Sequence, residues 1–367
     1  MQEESRAPVL VAAGGTGGHL FPAEALAAAL VQRGIPVHLA TDRRAARYGG
    51  AFTDETVHVI ASATLRARNP FAMLRTAASL GVGIAQSFTL VGRLKPMAVI
   101  GFGGYPTVPP VLAAAWRGVP TLIHDANAVI GRANRLLAPR VTAIATTFAD
   151  VFRDRPDLAA KATLTGNPVR PAVVAAAATP YPAADDPLRV LVFGGSQGAR
   201  VMADVVPAGI SLLEPALRAR LAIVQQAREE DVARVRSAYA NLAFAAEIAP
   251  FFSDLPARMA ASHLIVARSG ASTVAELSAI GRPSILVPLP HALDQDQFAN
   301  AGVLESAGGA IRLVQSEFTP RRLAAEIAAL MAAPQRLATM AAAARSLGRL
   351  DAADRLAALV LKIARTH

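Results

Sequence analysis

The sequence predicts an α/β protein of two similar domains, each a parallel sheet with helices on both faces. Three observations predict it: short apolar runs alternate with alanine-rich helical patterns, the alternation occurs twice, and each half opens with an apolar run leading into glycines, VAAGGTGG and VFGGSQGA. Such alternation is typical of βαβ units. A chain of 367 residues is also too long for one ordinary core.

The first half contains short apolar runs rich in β-branched residues, with helical patterns between most of them. The longest helical pattern follows Asn69, the predicted N-cap, with Pro70 at the first helical position and Lys95 near its end. Strands are predicted at residues 9–12, 37–40, 57–60, 98–100, 121–123 and 143–145.

The second half repeats the pattern after a proline-rich, weakly patterned stretch, which we interpret as a linker. Strands are predicted at residues 190–193, 222–224, 243–245, 264–266 and 285–287. We therefore expect an N-terminal domain at residues 1–166, a linker at 167–187, a C-terminal domain at 188–351, and a helix within 352–367 that packs back on the first domain. Two Rossmann-like units are the simplest interpretation.

The composition indicates a protein without a membrane span or disulfides. The apolar fraction of 53% and the mean hydropathy of +0.36 are high. However, the best candidate span, residues 76–92, contains polar side chains and glycines and is shorter than the roughly 20 apolar residues that a bilayer requires. The polar start of the chain does not resemble a signal peptide, and the chain has no cysteine. We expect a cytoplasmic protein.

The net charge of +10 and the pI near 10.9 point to an anionic partner, which could be nucleic acid, anionic lipid or a phosphate-bearing substrate. The basic residues are scattered, with no Lys/Arg run among aromatic residues, so we expect no nucleic-acid partner. The helix after Asn69 is either buried with a basic collar or rests part of its surface on anionic lipid. The flanking basic residues are Arg66, Arg68, Arg75, Arg93 and Lys95.

The glycine-rich turn from Gly14 to Gly18 stands between a strand and a helix, where backbone N–H groups favour a phosphate. A Walker motif requires Lys and Ser/Thr after the last glycine, where this chain has His19 and Leu20, which excludes that motif. Leu20 also occupies the position of the third glycine of a dinucleotide fingerprint, although Asp42 near the end of the second strand leaves an NAD site open. Alternatively, the glycines only allow strand and helix to pack closely.

Two further strand-to-helix turns lie in the second half. The first, Gly194-Gly195-Ser196-Gln197-Gly198-Ala199, offers a hydroxyl, an amide and free N–H groups. The second, at Ser269, opens a helix that carries Glu276. A carboxylate there can accept hydrogen bonds from both hydroxyls of a ribose, or it can simply complement the helix dipole.

The stretch Asp294-Gln295-Asp296 matches the D-x-D pattern of glycosyltransferases that bind their donor through a divalent cation. It stands at a predicted helix start, where acidic residues cap the helix and complement its dipole. We favour the capping interpretation and expect no metal site.

Six motifs occur in order across almost the whole chain. They are Gly14-Gly15-Thr16-Gly17-Gly18-His19, Gly101-Phe102-Gly103-Gly104-Tyr105-Pro106, Asn167-Pro168-Val169-Arg170, Gly194-Gly195-Ser196-Gln197-Gly198-Ala199, Arg268-Ser269-Gly270-Ala271, and Asp296-Gln297 with Asn300-Ala301. Together they closely resemble the MurG family of bacterial N-acetylglucosaminyltransferases. The resemblance implies a GT-B fold, in which two Rossmann-like domains with parallel sheets face each other across a cleft. It also implies an inverting, metal-independent transferase without a cofactor.

The resemblance further implies the substrates and the cellular location. N-acetylglucosamine would pass from UDP-N-acetylglucosamine, bound mainly by the C-terminal domain, to the muramyl sugar of lipid I, bound by the N-terminal domain. The product would be lipid II, the peptidoglycan precursor. Because the acceptor's prenyl tail stays in the bilayer, the enzyme would be peripheral at the cytoplasmic face of the bacterial inner membrane.

Matching motif positions imply the substrate-binding residues. Ser196, Gln197 and neighbouring N–H groups would hold the diphosphate with Arg170 as a cationic contact, and Glu276 would hold the ribose. The others are Ala271, Ser272 and Thr273 on the sugar and phosphate side, Phe252 at the uracil, Asp296 and Gln297 at the sugar hydroxyls, and Thr16, Gly17, Gly18 and Asn127 approaching the donor from the N-terminal domain.

An inverting transfer requires a base for the acceptor hydroxyl. His19 is the first candidate, since an imidazole with a pKa of ~6.5 can accept a proton at neutral pH; alternatively, His19 only hydrogen-bonds a phosphate or caps the turn. Family members commonly carry His-Glu-Gln-Asn where this chain has His124-Asp125-Ala126-Asn127. Asp125, one methylene shorter than glutamate, is the second catalytic candidate.

Other classes of protein would share part of these motifs. A GT-B transferase acting on a small lipid or a natural product need not carry GGTGGH or GFGGYP. A sugar-nucleotide epimerase of the same fold would convert UDP-N-acetylglucosamine without an acceptor, and a non-enzymatic module would only bind a nucleotide. Release of UDP, and its dependence on a lipid I analogue, separates these classes.

Overall fold

The computed structural model describes residues 6–14, 17–43, 52–62, 70–183, 187–195 and 198–366. The chain forms two compact units: unit 1 is Met1–Arg170 with Leu350–His367, and unit 2 is Pro171–Arg349. In the described part of each unit the strands form one parallel sheet with helices between them. The predicted fold class is therefore confirmed for both units.

Unit 1 contains a sheet of seven described strands. The strands are β1 Val9–Ala12, β2 Val37–Thr41, β3 Val57–Val59, β4 Ala98–Gly101, β5 Thr121–Asp125, β6 Ala143–Thr146 and β7 Ala162–Leu164. The helices are α1 Gly17–Val31, α2 Pro70–Leu94, α3 Val108–Trp116, α4 Arg132–Leu137, α5 Pro156–Ala159 and, after unit 2, α15 Ala352–Arg365. The strand order is β3-β2-β1-β4-β5-β6-β7, so the direction in which strands are added reverses between β1 and β4.

The core of unit 1 has two layers because helices cover both faces of the sheet. The central strand β1 is an uninterrupted apolar run that is completely buried, as parallel strands covered on both faces usually are. On one face, Leu26 of α1 and Val360 of α15 pack in the same cluster. On the other, Leu90 of α2 and Leu137 of α4 share a cluster.

Unit 2 contains a sheet of six described strands in the order β10-β9-β8-β11-β12-β13, with its own core. The strands are β8 Leu188–Phe193, β9 Leu221–Gln226, β10 Ala246–Ala249, β11 Leu264–Ala267, β12 Ser284–Leu286 and β13 Ala310–Arg312. The helices are α6 Pro171–Ala176, α7 Arg200–Ser211, α8 Pro215–Arg218, α9 Glu229–Ala240, α10 Leu255–Ala261, α11 Ala271–Ile280, α12 Asp296–Ser306, α13 Pro320–Ala332 and α14 Pro334–Ser346. Here the order reverses between β8 and β11.

The strand prediction at residues 243–245 was wrong, since β10 begins only at Ala246. The apolar residues of that run close the end of α9 instead: Ala243 has φ of +50°, and the Phe244 ring packs 5.7 Å from that of Tyr239. The short strands β7 and β13 were not predicted. Each has three residues and lies at the edge of its sheet, so neither shows the long buried apolar run that marks a central strand.

The predicted helix after Asn69 is α2, which begins at Pro70 as expected from proline's preference for the first helical position. Asn69, Arg66 and Arg68 lie outside the described residues. Over the described residues, no individual helix combines the length and apolarity needed to span a membrane. The consecutive helices α13 and α14, bent by 99°, meet that criterion only as a pair.

Candidate active site

The candidate site in unit 1 lies at the carboxyl ends of β1 and β4, where the strand order reverses. Ligands of open parallel sheets bind at such a reversal. Glycines make both turns possible: a Cβ at Gly14 would lie 2.9 Å from the Pro106 side chain, while Gly103 and Gly104 have φ of +90° and +75°, which glycine adopts without strain. Thr16 lies outside the described residues.

His19 is the third residue of α1, and its ring covers the second of these turns. A Cβ at Gly103 would lie 3.3 Å from Cε1 of His19, and one at Gly104 would lie 3.5 Å from Cδ2. Burial lowers the pKa of His19 from its usual value, and a hydrogen bond with the Phe102 backbone opposes this only in part. Within the described residues, its buried Nδ1 has no hydrogen-bond partner. At pH 7 His19 is therefore a neutral imidazole that can accept a proton.

Asp125 ends β5 with its carboxylate enclosed by donors. Oδ1 accepts a hydrogen bond from the Asn127 backbone at 3.1 Å, and Oδ2 accepts from the Gly131 backbone and the Asn134 amide at 3.0 Å each. Only 1% of the residue is exposed. These bonds fix the segment at residues 127–131, so the geometry favours an anchoring role for Asp125 over proton transfer.

His124, which sequence reasoning left without a role, is buried next to Asp125. Its Nε2 lies 3.0 Å from the Gly166 carbonyl and donates to it, because a carbonyl only accepts. Burial lowers the pKa of His124 to about 4; the Gly166 bond opposes this shift, and the neighbouring His19 adds to it. The neutral ring also packs on Phe102 at 5.4 Å. His124 thus connects the end of β5, through a hydrogen bond, to the segment at Gly166 that leads out of unit 1.

Arg170 places a cation beside the first turn of α1. Its guanidinium stacks on the Phe21 ring at 4.4 Å, and a Cβ at Gly17 would lie 3.1 Å from the same ring. Burial raises the pKa of Glu24, and the charge of Arg170 opposes part of that rise. Gly17 and Gly18, the first residues of this helix, therefore lie where both the helix dipole and an arginine favour an anion.

In unit 2 the corresponding position is the turn between β8 and α7. Gly195 and Gly198 have φ of +85° and +66°, and a Cβ at Gly194 would collide with the backbone at Gly198. The turn is therefore tight enough to require glycine, and it ends at a helix N-terminus, which favours phosphate. Ser196 and Gln197 lie outside the described residues.

The next turn, after β11, is fixed by the loop that precedes α12. The Ser269 hydroxyl donates to the Gln297 carbonyl at 2.8 Å. Gly270 is the N-cap of α11, and residues 271–273 form its first turn, whose N–H groups have no partners within the helix. Glu276 lies further along α11 and is 6% exposed. The turn thus places the N-terminal N–H groups of a helix in front of a nearly buried carboxylate.

The loop before α12 carries the residues predicted to contact the sugar. Gln297 Oε1 accepts a hydrogen bond from the Leu289 backbone at 3.0 Å. The NH₂ of the same side chain has no hydrogen-bond partner among the described residues. Asp296 Oδ1 accepts from the Gln297 backbone at 2.8 Å. Burial raises the pKa of Asp296; that backbone bond lowers it, and Asp294 raises it further. Asp294 and Gln295 have φ of +60° and +52°, a strained conformation for side chains other than glycine that is common in binding loops.

The same loop contains the D-x-D stretch. Asp296 is the first residue of α12, and one of its oxygens already accepts a backbone hydrogen bond. Within the described ranges, no group of three or more His, Cys, Asp or Glu side chains is arranged to hold a metal ion. The capping interpretation fits this geometry, and metal independence stays a prediction.

The turn between β10 and α10 was predicted to contact uracil through Phe252. The Phe252 ring is 7% exposed and is covered by the Arg258 guanidinium at 4.3 Å. Its neighbour Phe251 is 71% exposed and offers a free aromatic face. Sequence reasoning missed Phe251 because two adjacent phenylalanines do not show which one points outward.

Both halves of the chain match one enzyme family. The glycosyltransferase family 28 N-terminal domain matches residues 9–146, and the C-terminal domain of that family matches residues 189–356. Among solved structures, MurG from Acinetobacter baumannii is similar with a TM-score of 0.79 and 30% identity over 97% of this chain and 99% of that one. A UDP-GlcNAc 2-epimerase from Neisseria meningitidis, bound to UDP-GlcNAc, has a TM-score of 0.68 at 14% identity, a likeness that shows the fold alone.

Curated relatives are similar over almost their whole length. Two of them carry the name UDP-N-acetylglucosamine--N-acetylmuramyl-(pentapeptide) pyrophosphoryl-undecaprenol N-acetylglucosamine transferase. The protein of Rhodopseudomonas palustris (strain BisB5) is 64% identical over 98% of this chain and 100% of its own. The protein of Nitrobacter winogradskyi is 62% identical over 98% of both. The GT-B fold class is confirmed by these similarities together with the two parallel sheets.

Proposed function

The chain belongs to glycosyltransferase family 28 and, within it, to the MurG family, and on this premise we propose that it transfers N-acetylglucosamine from UDP-N-acetylglucosamine to the muramyl sugar of lipid I. The product is lipid II, so the enzyme serves peptidoglycan synthesis and, through it, cell shape and division. The observation that carries the proposal is 64% identity to a transferase of this name over 98% of the chain.

We assign the donor to unit 2. The turn after β10 faces the uracil, with Phe251 supplying an aromatic face and Phe252 its buried support. Glu276 accepts hydrogen bonds from the ribose hydroxyls. The diphosphate lies on the N–H groups of the turn that contains Ser196 and Gln197, and on those of the first turn of α11, including residues 271–273.

We assign the hydroxyl groups of the donor sugar to the loop before α12. Because Gln297 Oε1 is engaged by the Leu289 backbone, its NH₂ is the group that donates to a sugar oxygen. Asp296 accepts a hydrogen bond in return, through a carboxylate held in place by the Gln297 backbone. This donor and acceptor pair supports recognition of two different hydroxyls on the same sugar.

We assign the acceptor diphosphate to the glycine turn of unit 1. Thr16, Gly17, Gly18 and Asn127 stay the predicted contacts of this unit with the donor, and Arg170 stays the predicted cation at the donor diphosphate. His19 takes the proton from the acceptor hydroxyl while the oxygen of that hydroxyl attacks the anomeric carbon. The bond from that carbon to the UDP oxygen breaks, UDP leaves on the opposite face, and the configuration inverts. The lowered pKa of His19 keeps it neutral and able to accept the proton at pH 7.

We also propose that the enzyme binds anionic lipid at the cytoplasmic face of the inner membrane. Helices α2 and α3 pack together in unit 1 and expose Val82, Phe88 and Trp116. The Arg117 guanidinium stacks on Phe88 at 4.3 Å, and Arg93 is exposed near the end of α2. Apolar side chains next to arginines suit the boundary between headgroups and acyl chains.

The test is incubation with labelled UDP-N-acetylglucosamine, with and without a soluble lipid I analogue. We expect UDP to appear only with the acceptor, together with a disaccharide product of inverted anomeric configuration. Conversion of the sugar nucleotide without the acceptor would instead identify an epimerase. Equal release of UDP with unrelated lipid acceptors would identify a transferase of different specificity.

A further inference from the structure

Arg228 occupies a position beside the glycine turn of unit 2 that none of the family motifs includes. It follows β9, which pairs with β8 in parallel register, Gln225 opposite Val192. Both strands therefore end at the same edge of the sheet, and the residues after them are neighbours. The Arg228 side chain packs directly on the turn: a Cβ at Gly198 would lie 2.8 Å from its Cγ and 3.7 Å from its Nε.

Among the described residues, the guanidinium of Arg228 has no hydrogen-bond partner. Within the described residues its buried Nε has no partner, and its ion pair with Glu230 is long, at 3.8 Å from Nη1 to Oε1. Arg268 of the same unit instead donates to the Val287 and Pro288 carbonyls and to Gln315. The Arg228 side chain as a whole is 40% exposed, so a ligand can reach the guanidinium and accept hydrogen bonds from it.

The neighbouring loops indicate which part of a ligand would lie next to Arg228. Gln226, at the end of β9, donates to the Pro250 carbonyl at 3.0 Å, which joins this edge to the turn that exposes Phe251. Arg228 thus lies between the turn assigned to uracil and the turn assigned to the diphosphate. A uridine diphosphate that extends from the uracil turn to the diphosphate turn would lie next to the Arg228 guanidinium.

From this geometry, and resting on the proposed function, we infer that Arg228 binds the donor diphosphate. The Gly198 turn carries no charged side chain, and Arg228 adds a positive charge whose planar donors match phosphate oxygens. Gly198 is then required for two reasons: its φ is +66°, and any Cβ there would displace the arginine.

Arg228→Met keeps the aliphatic packing on Gly198 and removes the donors. We expect UDP to bind about tenfold more weakly to this variant, as loss of a charged hydrogen bond predicts, while uridine, which lacks phosphate, binds within about twofold of the parent. Arg228→Lys keeps a charge without the planar fork and should lie between. Arg322→Met is the matched control, because Arg322 is exposed on α13, away from the glycine turn, with its Nε 2.7 Å from Glu326; it should leave both affinities unchanged.

Calorimetric titration with UDP and with uridine measures these effects, and thermal melting confirms that each variant is folded. Unchanged UDP affinity in Arg228→Met, or an equal loss for UDP and uridine, would overturn the inference while the proposed function stands. If the parent itself does not bind UDP, the proposed function fails and the inference fails with it.

Discussion

Substitution of His19 and of Asp125 separates the two candidates for the catalytic base. Removing a general base reduces the rate by about 10²–10⁴, so His19→Ala should lower kcat by that factor. The reason lies in the geometry: His19 is neutral, its pKa is lowered by burial, and its Nδ1 has no hydrogen-bond partner among the described residues. A neutral imidazole can accept a proton.

Asp125→Asn should affect stability more than turnover. Oδ1 of Asp125 accepts a hydrogen bond from the Asn127 backbone, and its Oδ2 accepts from the Gly131 backbone and the Asn134 amide. An asparagine can keep its carbonyl at the Oδ2 position, but its NH₂ then faces the Asn127 N–H, so the hydrogen bond at Oδ1 is replaced by two opposed donors. Such a loss costs about 1–3 kcal/mol of unfolding free energy, and we expect kcat to fall by less than about tenfold.

The assay is kcat with UDP-N-acetylglucosamine and a lipid I analogue, measured from pH 5 to 9 beside the melting temperature of each variant. In the parent, the acidic limb of the profile should lie below the usual titration range of histidine, because a lowered pKa keeps the base unprotonated to lower pH. That limb should vanish in His19→Ala. A larger loss of kcat in Asp125→Asn than in His19→Ala would refute this reasoning and move the base to Asp125.

Three further predictions concern metal, pH and lipid. Activity should persist in excess EDTA, because N–H groups and arginines hold the diphosphate; strict dependence on Mg²⁺ or Mn²⁺ would contradict this. His124 has a pKa of about 4 in the folded protein and near 6.5 in the unfolded chain. Its contribution to the free energy of unfolding, about 3 kcal/mol, is therefore complete above pH 6.5 and is lost as the pH falls towards 4. The urea midpoint should fall across this range, and it should fall less in His124→Gln. The protein should co-sediment with anionic vesicles in a salt-sensitive manner, and binding indifferent to salt would count against the basic patch.

The central strands could be predicted from the sequence because burial on both faces demands uninterrupted apolar runs, as in β1 and β8. The edge strand β7, with two exposed residues of three, carries no such signal. At residues 243–245 the apolar run was taken for a strand, whereas the contact of Phe244 with Tyr239 depends on how α9 ends. Local patterns do not contain that information.

In the candidate site, too, some residues could be identified from the sequence and others could not. The glycine turns and His19 could be identified because the residue types of a phosphate-binding turn are contiguous in the chain. The roles of His124, Asp125 and Arg228 could not, since each depends on contact with a segment elsewhere in the chain: Gly166, Asn134 and Gly198. Which of two adjacent phenylalanines is exposed is likewise decided by Arg258, which covers Phe252.

The position of α15 has a consequence for synthesis on the ribosome. Its buried residues Leu356, Val360 and Ile363 share a core cluster with Leu26 of α1, yet they are translated after all of unit 2. The half of the protein that is made first therefore cannot finish its core until the other half has emerged. Released chains truncated before residue 352 should accordingly keep the surface of α1 open to chaperones, while unit 2, contiguous in sequence, can fold.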